Sequence, residues 1–98
     1  RMKTLQDFKR EQMKNPAFAR VYQEMEPERN IIRAIVEARI AQNLTQKEVA
    51  EKTGIAQAEL SRMENGLRNP SIKLLQRFAE GLGLVLKISF EPKQDVQA

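Results

Sequence analysis

The stretch QKEVAEKTGIAQAELSRMEN, Gln46 to Asn65, decides the fold of this chain. It reads as a helix, a tight turn at Gly54 and a second short helix. Val49 and Ala50 fall on the inner face of the first helix. Gly54 can take the left-handed backbone that ends a helix. Ile55, Leu60 and Met63 supply the apolar face beyond the turn. Two helices crossing this closely are the usual way for a small protein to place one helix in the DNA major groove.

Capping residues, prolines and glycines divide the rest of the chain. Thr45, with Glu48 three residues later, makes a capping box for the first helix of the pair. Gly66 ends the second. Asn69, Pro70 and Ser71 form a loop, and Ser71 caps a helix from Ile72 to about Gly81, with Ile72, Leu75, Phe78, Ala79 and Leu82 on its apolar side. Upstream, Pro27 marks the start of a long helix ending near Asn43, with Ile32, Ile35, Val36 and Ile40 as its apolar stripe. Asn15 and Pro16 open another helix, as cap and first helical residue. Phe18, Val21, Tyr22 and Met25 follow on it at helical spacing. Thr4 is the expected cap of a first helix from Leu5 to Lys14, with Asp7 favouring its N-terminus.

From Leu84 the period changes to two. Leu84, Leu86, Ile88 and Phe90 alternate with Val85, Lys87, Ser89 and Glu91, which predicts one β-strand ended by Pro92. A lone strand has unpaired backbone groups on both edges. Two readings stay open: a partner strand from another chain, or an extended tail packed on the helices. The expected fold is all-α apart from this strand. Residues 1–29 form a helical extension, 30–83 a helix-turn-helix bundle, and 84–98 a strand and tail.

The chain has 98 residues, 41% of them hydrophobic, enough for one modest domain. Domains of this size are marginally stable alone, so oligomerisation would help. A homodimer is expected because one groove-reading helix covers only a few base pairs and two-fold symmetry doubles the site. Seventeen Lys and Arg outweigh 13 Asp and Glu, and the pI is near 9.7, a balance compatible with nucleic acid. The chain has no cysteine or histidine, which excludes disulfides, thiolate chemistry, Cys/His zinc sites and imidazole catalysis. No nucleophile or metal constellation is present, so neither an enzyme nor a cofactor is expected. No apolar run approaches a membrane span, and a cytoplasmic location without membrane contact follows as the expectation. Arg1 before Met2 suggests that natural numbering begins at Met2.

Residues 30 to 82 resemble the lambda-repressor-like, Xre-type helix-turn-helix family. The resemblance is carried by LTQKEVAEKTGIAQAELSRMENGLRNPS, Leu44 to Ser71, in which Gln46, Ala50, Gly54, Leu60 and the ENG of Glu64 to Gly66 match the family. It implies that the helix after the turn reads base edges with Gln57, Ala58, Glu59, Ser61 and Arg62. Gln57 would meet an adenine, Arg62 a guanine and Ala58 a thymine methyl. Glu59 would accept from a cytosine amino group or repel phosphate. The other reading of each is a solvated surface residue. Phosphate contacts would come from Thr45, Gln46, Lys47, Asn65, Arg68, Asn69 and Lys73. The resemblance also implies that Arg39 pairs with Glu64, a scaffold contact and not a DNA contact. Relatives often carry Ser or Thr where this chain has Ala56 and Ala58. Losing a capping hydroxyl costs on the order of 1 kcal/mol. That departure bears on the operator sequence and not on the fold.

A narrower resemblance joins NPAFARVYQEMEPERNIIRAIVEAR, the helix-turn-helix and LKISFEP. Together these resemble the antitoxins of HigB–HigA toxin–antitoxin systems. The resemblance implies two partners, double-stranded operator DNA and a cognate RelE-like ribonuclease toxin. Phe8, Phe18, Val21, Tyr22 and Met25 of the N-terminal arm are then candidate toxin contacts, and Glu24, Glu26 and Glu28 could face toxin cations. The other reading packs these apolar side chains onto the chain's own long helix and leaves the three glutamates as a solvated helix end. A stand-alone repressor of the same family, without a toxin, is the alternative function.

Overall fold

A computed structural model describes residues 5–93, apart from the side chains of residues 5, 6 and 8. The expected cap at Thr4 and the side chain of Phe8 therefore lie outside the described residues. Six helices follow in order: α1 (Leu5–Gln12), α2 (Pro16–Glu24), α3 (Glu26–Ala41), α4 (Gln46–Thr53), α5 (Gln57–Glu64) and α6 (Ile72–Gly81).

Local chemistry sets most of their ends. The Asn15 side chain accepts from the backbone N–H of Ala17 at 2.9 Å, and Pro16 opens α2. Met25 closes α2 and opens α3 with no loop between, and Pro27 sits in the first turn of α3. Asn43 follows α3 with φ 56, a left-handed conformation that Asn tolerates better than most residues. The Thr45 hydroxyl accepts from the Glu48 N–H at 3.0 Å, while the Glu48 carboxylate accepts from the Thr45 N–H at 2.8 Å. This reciprocal box satisfies two of the donors a helix start leaves open. Gly54, at φ 74, closes α4 and turns the chain toward α5. The Ser71 hydroxyl accepts from the Leu74 N–H at 3.1 Å and starts α6.

The core lies inside the bundle of α3 to α6. Ile35, Val49, Ile55, Leu60, Met63, Phe78 and Leu82 are buried together, with Ile31, Ala38, Leu44, Ala50, Leu74 and Leu75 packed around them. Helix α4 packs on α5 and α6, and α3 packs on α5. The crossing of α4 and α6 is close at Gly81. A Cβ there would sit 2.6 Å from Thr53 Cγ2, 2.7 Å from Thr53 Cα and 2.9 Å from the Lys52 carbonyl. Two of these are backbone atoms that cannot swing aside. Two residues of the expected apolar stripes turn outward, Ile40 and Ile72. Ile40 is five residues beyond buried Ile35, about 140° around the helix. Ile72 is the first residue of α6 and borders a shallow groove with Leu84, Val85 and Ile88.

The expected β-strand from Leu84 to Phe90 is absent: no strand occurs among the described residues. The segment is extended and runs past α3 and α6, with Leu86 half-buried beside Ala34 and Leu75. Leu84, Ile88 and Phe90, the other members of the supposed inner face, are exposed. A two-residue period belongs to any extended chain. A strand also needs a neighbouring backbone to complete its ladder, and helices whose N–H and C=O groups are spent internally offer none.

Candidate nucleic-acid interface

Helix α5 is anchored from behind. Leu60 and Met63 are fully buried on its inner side. The opposite side carries Gln57, Ala58 and Arg62, all exposed, with Glu59 and Ser61 half-buried at its margins. Ala56 is the N-cap and has no side-chain acceptor to offer, so the first N–H groups of α5 receive no cap. Exposed backbone donors of this kind attract anions.

The C-terminal end of α5 is tied to α3. Arg39 Nε donates to Glu64 at 2.8 Å and Arg39 Nη2 donates to the other carboxylate oxygen at 3.0 Å. Only 8% of the Glu64 side chain and 20% of the Arg39 side chain are exposed. Arg39 Nη1 also donates to the Leu44 carbonyl at 3.0 Å, so one guanidinium fixes both the α3–α4 connection and α5. Its hydrogen bonds to Glu64 push the Arg39 pKa above its usual value, against the opposing effect of burial. Gln46 Nε2 joins the same carboxylate at 3.1 Å. Its side chain thus faces the scaffold, although its sequence position suggests phosphate.

The remaining phosphate candidates divide in a similar way. Thr45 is engaged in the capping box. Asn65 Nδ2 donates to the Ser61 carbonyl at 2.9 Å, and Arg68 forms an ion pair with Glu59. Lys47, Asn69 and Lys73 are exposed. Glu59 also pairs with Arg62, Nη1 to Oε1 at 2.8 Å.

Two polar residues not singled out in the sequence prove structural. The Thr53 hydroxyl donates to the Val49 carbonyl at 2.7 Å and accepts from the Ile55 N–H at 3.1 Å, bracing the turn around Gly54. Gln42 donates to the Leu82 carbonyl at 2.9 Å, linking the ends of α3 and α6. A Thr one turn beyond an apolar residue and next to a turn glycine is a usable signal for the first. Nothing local marks Gln42.

In the arm, Tyr22 is clasped by cations. Arg29 lies over its ring at 3.4 Å, Lys9 stands 4.6 Å from the centroid, and the Phe18 ring is 6.0 Å away. A hydrogen bond with Lys9, reinforced by the nearby arginines, lowers the Tyr22 pKa. Phe18 is half-buried, whereas Val21 and Met25 are exposed. Helix α2 packs on α3 and buries no residue fully. No described helix is long and apolar enough to cross a membrane.

Residues 35–85 match the family model described as Helix-turn-helix. The protein named Antitoxin HigA1, from two strains of Mycobacterium tuberculosis, is 30% identical over 77 residues, which cover 79% of this chain and 52% of the relative. The chain therefore spans about half the length of the curated relatives it matches. No solved structure gives a match. The matched span coincides with the bundle that presents α5, and the chain belongs to the Xre-like helix-turn-helix family of DNA-binding domains.

Proposed function

We propose that this chain is an antitoxin that represses its own operon and holds a cognate RelE-like toxin inactive. Residues 30–83 form the DNA-binding unit, 1–29 the toxin-binding arm, and 84–98 a tail. On DNA, α5 enters the major groove. Gln57, Ala58, Ser61 and Arg62 face base edges, and Lys47, Asn69 and Lys73 meet phosphates beside it. Two chains bind as a homodimer to half-sites about 34 Å apart.

The observation that carries this reading beyond a plain repressor is the extent of the likeness to Antitoxin HigA1. The 77 aligned residues exceed the 35–85 span, so the likeness continues into segments flanking the helix-turn-helix. The exposed apolar pair Val21 and Met25 gives the arm a face for a protein partner. Inhibition by such an arm is occlusion, not chemistry. The test has two arms. Selection from a random-sequence duplex library should yield a two-fold symmetric operator. Co-expression with the small basic protein encoded beside its gene should restore growth, and replacing Val21 and Met25 with Asp should abolish that rescue. A selected operator with no such toxin would leave the plain repressor.

A further inference from the structure

We propose that Glu59 sets specificity by withholding Arg62 and Arg68 from the phosphates of unselected DNA. The proposal rests on the DNA-binding reading of α5. Arg62 Nη1 meets Glu59 Oε1 at 2.8 Å, and Arg68 Nη1 meets the other carboxylate oxygen. One acid therefore holds two cations, one from α5 itself and one from the loop that follows it. The Glu59 side chain is 23% exposed, while Arg62 and Arg68 are 55% and 47% exposed. The carboxylate sits in the first turn of α5, where the helix dipole favours it.

The triad carries one net positive charge where two free arginines would carry two. A phosphate approaching either arginine meets the Glu59 carboxylate beside it, and swinging the guanidinium clear of that carboxylate only exchanges one anionic oxygen for another. That exchange gains little and leaves the Glu59 carboxylate facing a negatively charged backbone. A matching guanine is a different partner. Arg62 gives a single Nη1 contact to Glu59 and keeps the rest of its fork, enough for bidentate contact with O6 and N7. The ion pair then aims the guanidinium without being broken. Glu59 is in this sense a positioning residue for Arg62 and a restraint on Arg68.

The test compares the full chain with Glu59→Gln, Glu59→Asp, Arg68→Ala and the Glu59→Gln/Arg68→Ala double variant. Affinity is measured for the operator selected above and for a mixed-sequence duplex, across a salt series. Glu59→Gln should tighten binding to the mixed-sequence duplex on the order of tenfold. The log–log salt slope should steepen by about 1–2, as one or two arginines become available to phosphate. Operator affinity should change less, so the specificity ratio falls. In the Arg68→Ala background the tightening should shrink, and Glu59→Asp, too short to reach both arginines, should lie between. Unchanged melting temperatures verify that the variants fold. Equal tightening on both duplexes, undiminished by Arg68→Ala, would mean plain repulsion of DNA by Glu59 and would overturn the proposal. Unchanged affinities would overturn it too. A wild-type chain that selects no operator removes the DNA reading itself, and the Glu59 assignment with it.

Discussion

A single carboxylate, Glu64, receives the Arg39 fork and the Gln46 amide. Truncating one partner of a buried pair costs about 3–5 kcal/mol, because the other charge is left uncompensated. Glu64→Ala should therefore lower the melting temperature by tens of degrees at about 4–8 °C per kcal/mol, and differential scanning calorimetry would read this directly. Unchanged melting would mean that the pair is not a scaffold contact. The raised Arg39 pKa means that the charged form is favoured in the folded state. Its stabilisation is present below the unfolded value and is lost only as pH rises through the folded one, far above neutrality. Arg39 therefore keeps its charge throughout the physiological range. Arg62 belongs to the opposite case, an exposed residue whose proposed role is recognition. Arg62→Ala should cost about 1–3 kcal/mol at one base position, read from a panel of single-base operator variants. A uniform loss across the panel would make it a phosphate contact. Arg39 and Glu64 lie 25 residues apart, and only the family resemblance joins them in the sequence. The Gln46 and Arg68 contacts were not legible, because a long polar side chain near a turn can reach several partners of comparable value.

At the scale of elements, two forces disagree at Gly81. Helix propensity alone favours Ala over Gly by about 1 kcal/mol. The close crossing of α4 and α6 opposes it, since the added Cβ would press on Thr53 Cα and the Lys52 carbonyl. Overpacking against backbone costs typically about 1–3 kcal/mol, so the crossing wins. Gly81→Ala should be net destabilising in urea unfolding, and a gain in stability would show that the crossing relaxes freely. The α4 cap gives a pH signature. The Thr45 N–H, followed by the Thr45 hydroxyl, holds the Glu48 pKa below its ordinary 4.5. A carboxylate depressed on folding stabilises above its unfolded pKa, and the contribution is lost as pH falls through the folded value. Stability curves of the wild type and Glu48→Gln should thus run parallel near neutrality and converge as pH drops below about 4.5. Curves that stay parallel into acid would remove the cap from the account. Thr45, Gly54, Asn15 and Ser71 could be read from the sequence because a cap is chemistry among near neighbours. The segment from Leu84 to Phe90 could not, because strand formation depends on a partner backbone that no local pattern reveals. The outward turn of Ile40 was legible in principle, since its angle from Ile35 follows from the helix period, whereas Ile72 needed the path of the tail.

Across the whole molecule, the radius of gyration is 16.5 Å, against about 13 Å for a compact domain of this length. The arm touches the bundle through the packing of α2 on α3, but α2 adds no fully buried residue to the core. Composition and periodicity place apolar residues in the arm, but they cannot say whether a face is covered from inside the chain or left for another protein. Tyr22 is covered by Lys9 and Arg29, whereas Val21 and Met25 are not. The distribution of burial also separates the chain in time. Every fully buried side chain among the described residues falls between Ile35 and Leu82. Segments that bury little open at a small fraction of the global unfolding free energy. In deuterated buffer, the amides of α1 and α2 should exchange well before those of α4 and α5, leaving a mass envelope that fills from the N-terminal end inward. Equal protection of α2 and α5 would mean that the molecule opens only as one cooperative unit.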